Sequence, residues 1–365
     1  MMEVLIRTDA SVEIGTGHVM RCLTLAKQLV EHGVEVTFLC RDLEGELSDF
    51  IHRNGFDVYL LPKPNIPFSR GIIDWYEQNW MKDKEETVSI IKKNSLKADL
   101  LIVDHYGLDY RWETSLRTCF NSIMAIDDLA DRNHNCDLLL DQNFYKNYTN
   151  RYDNLVPNHC KLLLGPKNVL LREEFLSDSI KIKKRTGSIK KILVFFGGSD
   201  PTNETLKTLK ALVRFSNLLV DVVVGASNKN KLHIKKFCEK YTNFTYSCQV
   251  PNMAERINEA DLAIGAGGTT TWERCCLGLP TVSIIVAENQ SETTRAVSGI
   301  GAIVNLGTSG NVSSDFIYNE VDYLLHSPER VNKLSENSLK LIDREYVKTY
   351  PVAKAILEAC DDLFR

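Results

Sequence analysis

The chain predicts an α/β protein of two Rossmann-like, doubly wound domains, and three observations carry that expectation. Short runs rich in Val, Ile, Leu and Phe alternate with segments of helical period; the alternation breaks once, in a lysine-rich polar stretch; and it then restarts. Alternation of this kind packs helices on both faces of a parallel sheet. A length of 365 residues also exceeds what one hydrophobic core commonly supports.

In the first half the strand candidates are "EVLIRT" (3–8), "VEVTFLC" (34–40), "FDVYLL" (56–61), "ADLLIVD" (98–104) and "SIMAIDD" (122–128). After the first of them, Val19, Cys22, Leu23, Ala26 and Leu29 recur at three- and four-residue steps, the spacing of one buried helix face. The stretch "LSDSIKIKKRTGSIKK" (176–191) reads as the crossing between domains, because boundaries favour exposed polar linkers. Beyond it come "KILVFFGG", "LLVDVVVG", "NFTYSC", "ADLAIGAGG" and "PTVSIIV", and helical patterns from about 313 to the closing "VAKAILEACDDLF". The expected domains are 1–180, 190–345 and a C-terminal helical segment, 346–365. A cleft between the two domains is expected, with ligands outside the carboxyl ends of the strands.

Bulk properties exclude several classes. The apolar fraction of 44% and charged fraction of 25% are those of an ordinary globular protein. A net charge of −4 gives nucleic acid no basic footprint. No run of 18 apolar residues suggests a membrane span, and "MMEVLIRTD" turns polar too early for a signal peptide. Ten scattered cysteines without a CxxC pair read as reduced, buried thiols of a cytosolic protein.

Three glycine-containing loops follow strands. In "RTDASVEIGTGHVMR" (7–21), Gly15 and Gly17 permit tight turns ahead of a helix whose first N–H groups face outward. Met20 stands where a dinucleotide fingerprint needs its third glycine, and the Gly-Lys-Ser/Thr of a phosphate-binding P-loop is absent. The loop therefore reads either as a glycine turn or as a ligand loop. His18 in the first helical turn suits a general base and equally suits an ordinary hydrogen-bonded histidine.

The second loop, Gly265-Ala266-Gly267-Gly268-Thr269-Thr270, offers bare amides and hydroxyl donors to a diphosphate. Glu273 just beyond it suits the two hydroxyls of a ribose, or simple compensation of a helix dipole. In the third, "FFGGSDPTN", Gly197 and Gly198 allow close backbone approach, and Asp200-Pro201 signals a helix start with proline at its first position. The remaining polar strand ends are Asp9 and Ser11, Asp104-His105-Tyr106-Gly107, Asp127-Asp128, and Asn143 and Tyr145 in "DQNFY". Each has a capping or turn explanation, but together they form a polar lip near His18. No motif fixes metal-ligand spacing, and no metal is expected.

The motifs "RTDASVEIGTGHVMRCLTLA", "DHYG", "AIDD", "LLREEF", "FFGGSDPTN", "GAGGTTTWE" and "ENQSETT", in this order over residues 7–294, resemble one family. It is the UDP-2,4-diacetamido-2,4,6-trideoxy-β-L-altropyranose hydrolases of pseudaminic acid biosynthesis, to which spore-coat polysaccharide proteins are similar. The resemblance implies a GT-B fold, with the C-terminal helix packed back across the N-terminal domain. It further implies cleavage of the anomeric C1–O bond by water, with inversion and release of UDP, without cofactor or metal. Transferred to this chain, it makes His18 the base and Tyr106 a catalytic residue of the sugar pocket; Asp9, Gly15, Gly17, Asn143 and Gly198, read from the loops and strand ends themselves, join the expected substrate-binding set. Gly267, Gly268, Thr269, Thr270 and Glu273 hold the nucleotide, and Asn289 and Gln290 reach the sugar; "LREEF" (171–175) carries no assigned role. The expected partner is a small-molecule UDP-sugar, with no nucleic acid or membrane, on a monomer or weak homo-oligomer. A glycosyltransferase on the same fold, or a non-catalytic nucleotide-sugar binder, are the competing readings.

Overall fold

The computed structural model describes residues 2–64 and 71–363. It contains two compact units. The first comprises 1–143, 147–170 and 349–365, and the second 144–146 and 171–348. The chain thus changes unit between Leu170 and Leu171, ahead of the lysine-rich stretch, whose residues belong to the second unit. The reason is visible in that stretch: Lys183 and Arg185 are tied by hydrogen bonds to Asn258, Glu259, Asp261, Ile257 and Gly278.

In the first unit seven parallel strands are ordered β3-β2-β1-β4-β5-β6-β7. They are β1 (Glu3–Thr8), β2 (Glu35–Arg41), β3 (Asp57–Leu61), β4 (Leu100–Asp104), β5 (Ser122–Ile126), β6 (Leu138–Asp141) and β7 (Lys161–Leu164). Alternate residues face opposite sides, as strand geometry requires. Val4, Ile6, Phe38, Ile102 and Leu140 join one core with the helix Gly17–Val30, while Leu5, Leu39, Leu101, Val103 and Leu139 join another with Trp75, Tyr76 and Trp112. Val19, Cys22, Leu23, Ala26 and Leu29 are all buried, in line with their spacing. The final helix, Pro351–Leu363, adds Val352, Ala353, Ile356 and Cys360 to the first of these cores. Residues 364 and 365 of the expected tail segment lie outside the described residues.

The second unit has six parallel strands ordered β10-β9-β8-β11-β12-β13. They are β8 (Lys191–Phe195), β9 (Leu219–Val224), β10 (Phe244–Cys248), β11 (Leu262–Ala266), β12 (Thr281–Ile285) and β13 (Val304–Thr308). Both orders are those of doubly wound nucleotide-binding sheets.

Three strands have no counterpart in the sequence reading: β6, β7 and β13. The first two span only four residues each, and β13 is an edge strand that is mostly half-buried. Their periodicity is too short or too mixed to stand out. The proline helix start is also corrected. The helix begins at Glu204, not at Pro201, because the Asp200 carboxylate accepts from the N–H groups of Glu204 (2.9 Å) and Thr205 (3.0 Å). Residues 201–203 are looped out, with Asn203 in the left-handed region. All ten cysteines are free, but Cys119 and Cys248 are exposed and Cys160 is half-buried, so burial holds for seven of the ten. Among the described residues no helix is long and apolar enough to cross a membrane.

Ile356 lies fully buried at the seam of the final helix and the first sheet. Ile356→Ala is expected to lower the stability of the first unit by about 2–5 kcal/mol in urea denaturation. Hydrogen exchange should place the loss in β1, β2 and the helix Gly17–Val30.

Candidate active site

The opening loop is built by its own backbone. Ser11 and Gly15 exchange N–H···O=C hydrogen bonds, and the Ser11 hydroxyl accepts from the N–H groups of Glu13 and Ile14. Gly15 sits at φ +84°, where a side chain would be strained. This compact turn delivers the chain into the helix at Gly17, so His18 projects from the first turn. Thr8 of β1 stands in register with Asp104 of β4. The loop and the end of β4 therefore share one edge of the sheet.

There, His18 Nδ1 lies 2.5 Å from Asp104 Oδ1. Arg21, one helical turn further on, donates from Nε to Asp104 Oδ2 (2.6 Å) and from its two terminal nitrogens to Asp104 and Asp128 (2.7–2.8 Å). Burial alone would raise the Asp104 carboxyl, but the charge of Arg21, then that of His18, holds it well below the usual carboxylate range. An ionised carboxylate can only accept, so Nδ1 carries the proton and donates. Nε2 has no hydrogen-bond partner among the described residues. The Tyr106 ring meets the imidazole edge-on at 4.4 Å, and its hydroxyl donates to Asp128 (2.7 Å). Asn143 Nδ2 donates to the same carboxylate (2.6 Å). His18, Asp104, Tyr106, Asp128 and Asn143 thus converge, with Arg21 between them.

Other expected residues do not reach that group's surface. Asp9 is corrected from ligand contact to structural anchor. It is fully buried, and its oxygens already receive Arg7, Tyr76 and the Arg41 N–H, with His105 Nε2 at 3.3 Å. His105 is neutral because burial outweighs Asp9, and its Nδ1 accepts from the Gly107 N–H. Asp127 is held well below the usual range, since Arg132, His134 and the Ala130 N–H overcome its burial. Burial, then the charge of Asp128, pushes Asp141 up to about 8, so it carries a proton at neutral pH. Tyr145 is buried as well. No three of the described His, Cys, Asp and Glu groups form a metal-holding set.

In the second unit the Gly265–Thr270 loop leaves β11 and enters the helix Thr270–Cys276. A Cβ on Gly267 would clash with the Thr294 hydroxyl oxygen, so a side chain there would force Thr294 to shift. Gln290 reaches this loop: a Cβ on Gly268 would lie 3.6 Å from its Nε2, while its Oε1 accepts from the Val286 N–H. Asn289 shares the short 3-10 turn Glu288–Gln290. Gly198 sits against Gly225, whose own Cβ would strike the Gly198 backbone at 2.2 Å. Glu273 accepts from Arg172 Nε at Oε1 (2.8 Å), and its Oε2 is buried without a partner. Arg172 also pairs with Glu174 at 2.5 Å, which gives the "LREEF" segment a physical role, that of aiming Glu273. Arg21 and Arg172 escaped the sequence reading, although Arg21 lies at the i+3 position from His18, on its helix face.

Against known proteins, residues 192–304 match the glycosyltransferase family 28 C-terminal domain. The UDP-2,4-diacetamido-2,4,6-trideoxy-beta-L-altropyranose hydrolase of Campylobacter jejuni is 29% identical, over 80% of this chain and 94% of its own. The UDP-N-acetylglucosamine–N-acetylmuramyl-(pentapeptide) pyrophosphoryl-undecaprenol N-acetylglucosamine transferase of Carboxydothermus hydrogenoformans is 31% identical, over 91% of this chain and 92% of its own. The chain belongs to the glycosyltransferase family 28 group. Its fold is GT-B: the MurG crystal structure from Acinetobacter baumannii superposes with a TM-score of 0.64 at 13% identity, over 97% of this chain and 100% of that one. The family 28 match runs from β8 to the start of β13 and so contains the whole Gly265–Thr270 loop.

Two outcomes test this geometry. Gly267→Ala should cost about 1–3 kcal/mol through its clash with Thr294, and adding Thr294→Ala should recover most of that loss. His134, buried between Glu113 (2.7 Å) and Asp127 (3.8 Å), is raised to about 9 because these carboxylates overcome burial. A raised folded-state pKa stabilises fully below the ordinary 6.5 and loses its effect as pH climbs through about 9. The stability gap between the unaltered protein and His134→Gln should therefore narrow over that range in denaturant titrations.

Proposed function

We propose that the protein is a nucleotide-sugar hydrolase. In this reading it cleaves the anomeric C1–O bond of UDP-2,4-diacetamido-2,4,6-trideoxy-β-L-altrose by water attack with inversion, releasing UDP and the free sugar. The observation that carries the proposal is the His18–Asp104 pair with its unpartnered Nε2. Asp104 fixes the tautomer, and Nε2 takes a proton from water as the oxygen attacks C1. The electron pair of the C1–O bond leaves with the UDP phosphate. General-base catalysis of this kind supplies roughly 10²–10⁴-fold. The diphosphate falls to the Gly267–Thr270 loop, whose backbone and hydroxyl donors suit an anionic leaving group. The free Oε2 of Glu273 accepts from ribose, and Asn143, Tyr106, Asn289 and Gln290 belong to sugar recognition. The Campylobacter jejuni relative, aligned over most of its length, supports this choice of substrate.

A glycosyltransferase is the second reading, favoured by the family 28 match and by the 31% identical transferase. NMR of purified protein with the UDP-linked diacetamido sugar separates the two. Hydrolysis predicts UDP release and an inverted anomeric signal without any acceptor; no turnover until an acceptor is added would establish the transferase. His18→Gln should lower kcat by about 10²–10⁴-fold. Asp104→Asn should lower it by about 10²-fold or more with KM little changed, because the wrong tautomer is held. A His18 variant with unaltered kcat would remove that residue as the base.

A further inference from the structure

Four arginines are almost wholly buried among the described residues: Arg7, Arg21, Arg41 and Arg274. Three of them meet carboxylates. Arg7 pairs with Asp9 and Asp83, Arg21 with Asp104 and Asp128, and Arg41 with Asp83 and Glu86. In each case these partners overcome burial and hold the guanidinium above its ordinary value.

Arg274 has no such partner. Its terminal nitrogens donate to the Ala266 carbonyl (2.7 Å) and to the hydroxyls of Thr271 (3.1 Å) and Thr270 (3.2 Å), all neutral groups, and its Nε has none. The adjacent acid, Glu273, is engaged by Arg172 instead. Burial accordingly pulls Arg274 down to about 10, which still leaves it charged at neutral pH. A buried cation without a counter-charge is costly, and natural structures rarely keep one idle.

Its position is specific. Ala266 on one side and Thr270 and Thr271 on the other bracket the Gly267–Thr269 segment, so the guanidinium spans the base of the loop. Gly265 must be glycine partly for this reason, since a Cβ there would lie 2.9 Å from the Arg274 terminal nitrogen and 2.3 Å from the Phe195 carbonyl. Ser283, Ser291 and Thr294 have buried hydroxyls without partners, and those of Thr294 and Ser283 lie 2.1 and 3.5 Å from a Cβ built on Gly267. Hydroxyl donors and one positive charge with no carboxylate bonded to it therefore gather around a single glycine segment.

We infer that Arg274 is the built-in counter-charge for a diphosphate held on the Gly267–Thr270 loop, a positioning residue that braces the loop and attracts the anion from beneath. This rests on the nucleoside-diphosphate reading of that loop. The ligand chemistry is a pair of linked phosphates, and a uridine without phosphates lacks the group that Arg274 serves.

Calorimetric titration of the full chain with UDP, uridine and inorganic phosphate tests the inference. Arg274→Met should weaken UDP binding by about 10- to 100-fold, the loss expected for one charge-assisted interaction, while uridine binding changes by less than about threefold. Arg274→Lys, which keeps the charge, should recover most of the lost UDP affinity. If Arg274→Met does not fold, Arg274→Gln replaces it with the same expectations. Equal losses for UDP and uridine, unaltered UDP affinity in the neutral variant, or a lysine variant as weak as the neutral one would each overturn the inference. Inorganic phosphate binding that is as tight as UDP and equally sensitive to Arg274 would replace the diphosphate by a simple anion. Failure of the unaltered protein to bind UDP would overturn the nucleotide reading itself, and this inference with it.

Discussion

One guanidinium organises the chemistry of the first unit. Asp104 ends β4 and Asp128 lies just past β5, its neighbour in the sheet, so parallel pairing brings two carboxylates together in a buried place. Left alone, such a pair would repel, and one member would take up a proton. Arg21 sits between them, with hydrogen bonds to both, and keeps Asp104 ionised. An ionised Asp104 accepts the Nδ1 proton of His18 and so orients the ring. Because His18 and Arg21 share one helix face, the imidazole and the cation that sets its tautomer are delivered by a single rigid element.

A second ionic cluster does the mechanical work beside it. Asp83 receives Arg7, Arg41 and the Trp112 indole N–H, while Asp9 receives Arg7, Tyr76 and the Arg41 backbone. Buried ion pairs of this kind seldom add net stability, because desolvation offsets the attraction. What they do supply is direction: each carboxylate has geometrically distinct donors, and an alternative packing would strand a charge. The cluster pins the ends of β1 and β2 and the helix Ile72–Lys93, and through β1 it pins the turn that presents His18.

Most of the fold was legible because strand–helix alternation has a strong period. Ten of the thirteen strands among the described residues follow from apolar runs bounded by polar or glycine residues. The strands that were missed are short or half-buried, and length rather than chemistry hid them. At the site, legibility stopped at pairing. His18, Asp104, Tyr106 and Asp128 are visible as polar residues after strands, yet Asp9 carries the same local signature and turns out to be saturated by Arg7, Tyr76 and the Arg41 N–H. A strand-end aspartate becomes an anchor or a working group according to which arginine meets it, and those arginines lie up to 107 residues away in sequence. Local pattern carries no record of such partners. The "LREEF" segment illustrates the same point, since Arg172 acquires its meaning only from Glu273, 101 residues on.

The two units end up in opposite electrostatic conditions. In the first, every fully buried arginine among the described residues meets a carboxylate, and His18 Nε2 stands without a hydrogen-bond partner. In the hydrolase proposed above, a ring oriented in advance leaves little to reorganise when a proton moves. In the second, the buried arginine has no carboxylate, and partnerless hydroxyls surround the glycine loop. The nearby acid, Glu273, is engaged by Arg172 instead. Hydrolysis of a nucleotide sugar calls for both conditions at once: a base that is neutral where water is activated, and uncompensated positive charge where the phosphate departs. A protein that only bound a nucleotide would need the second condition alone. The pairing of His18 with an ionised, arginine-held Asp104 is the arrangement that such a binder has no use for.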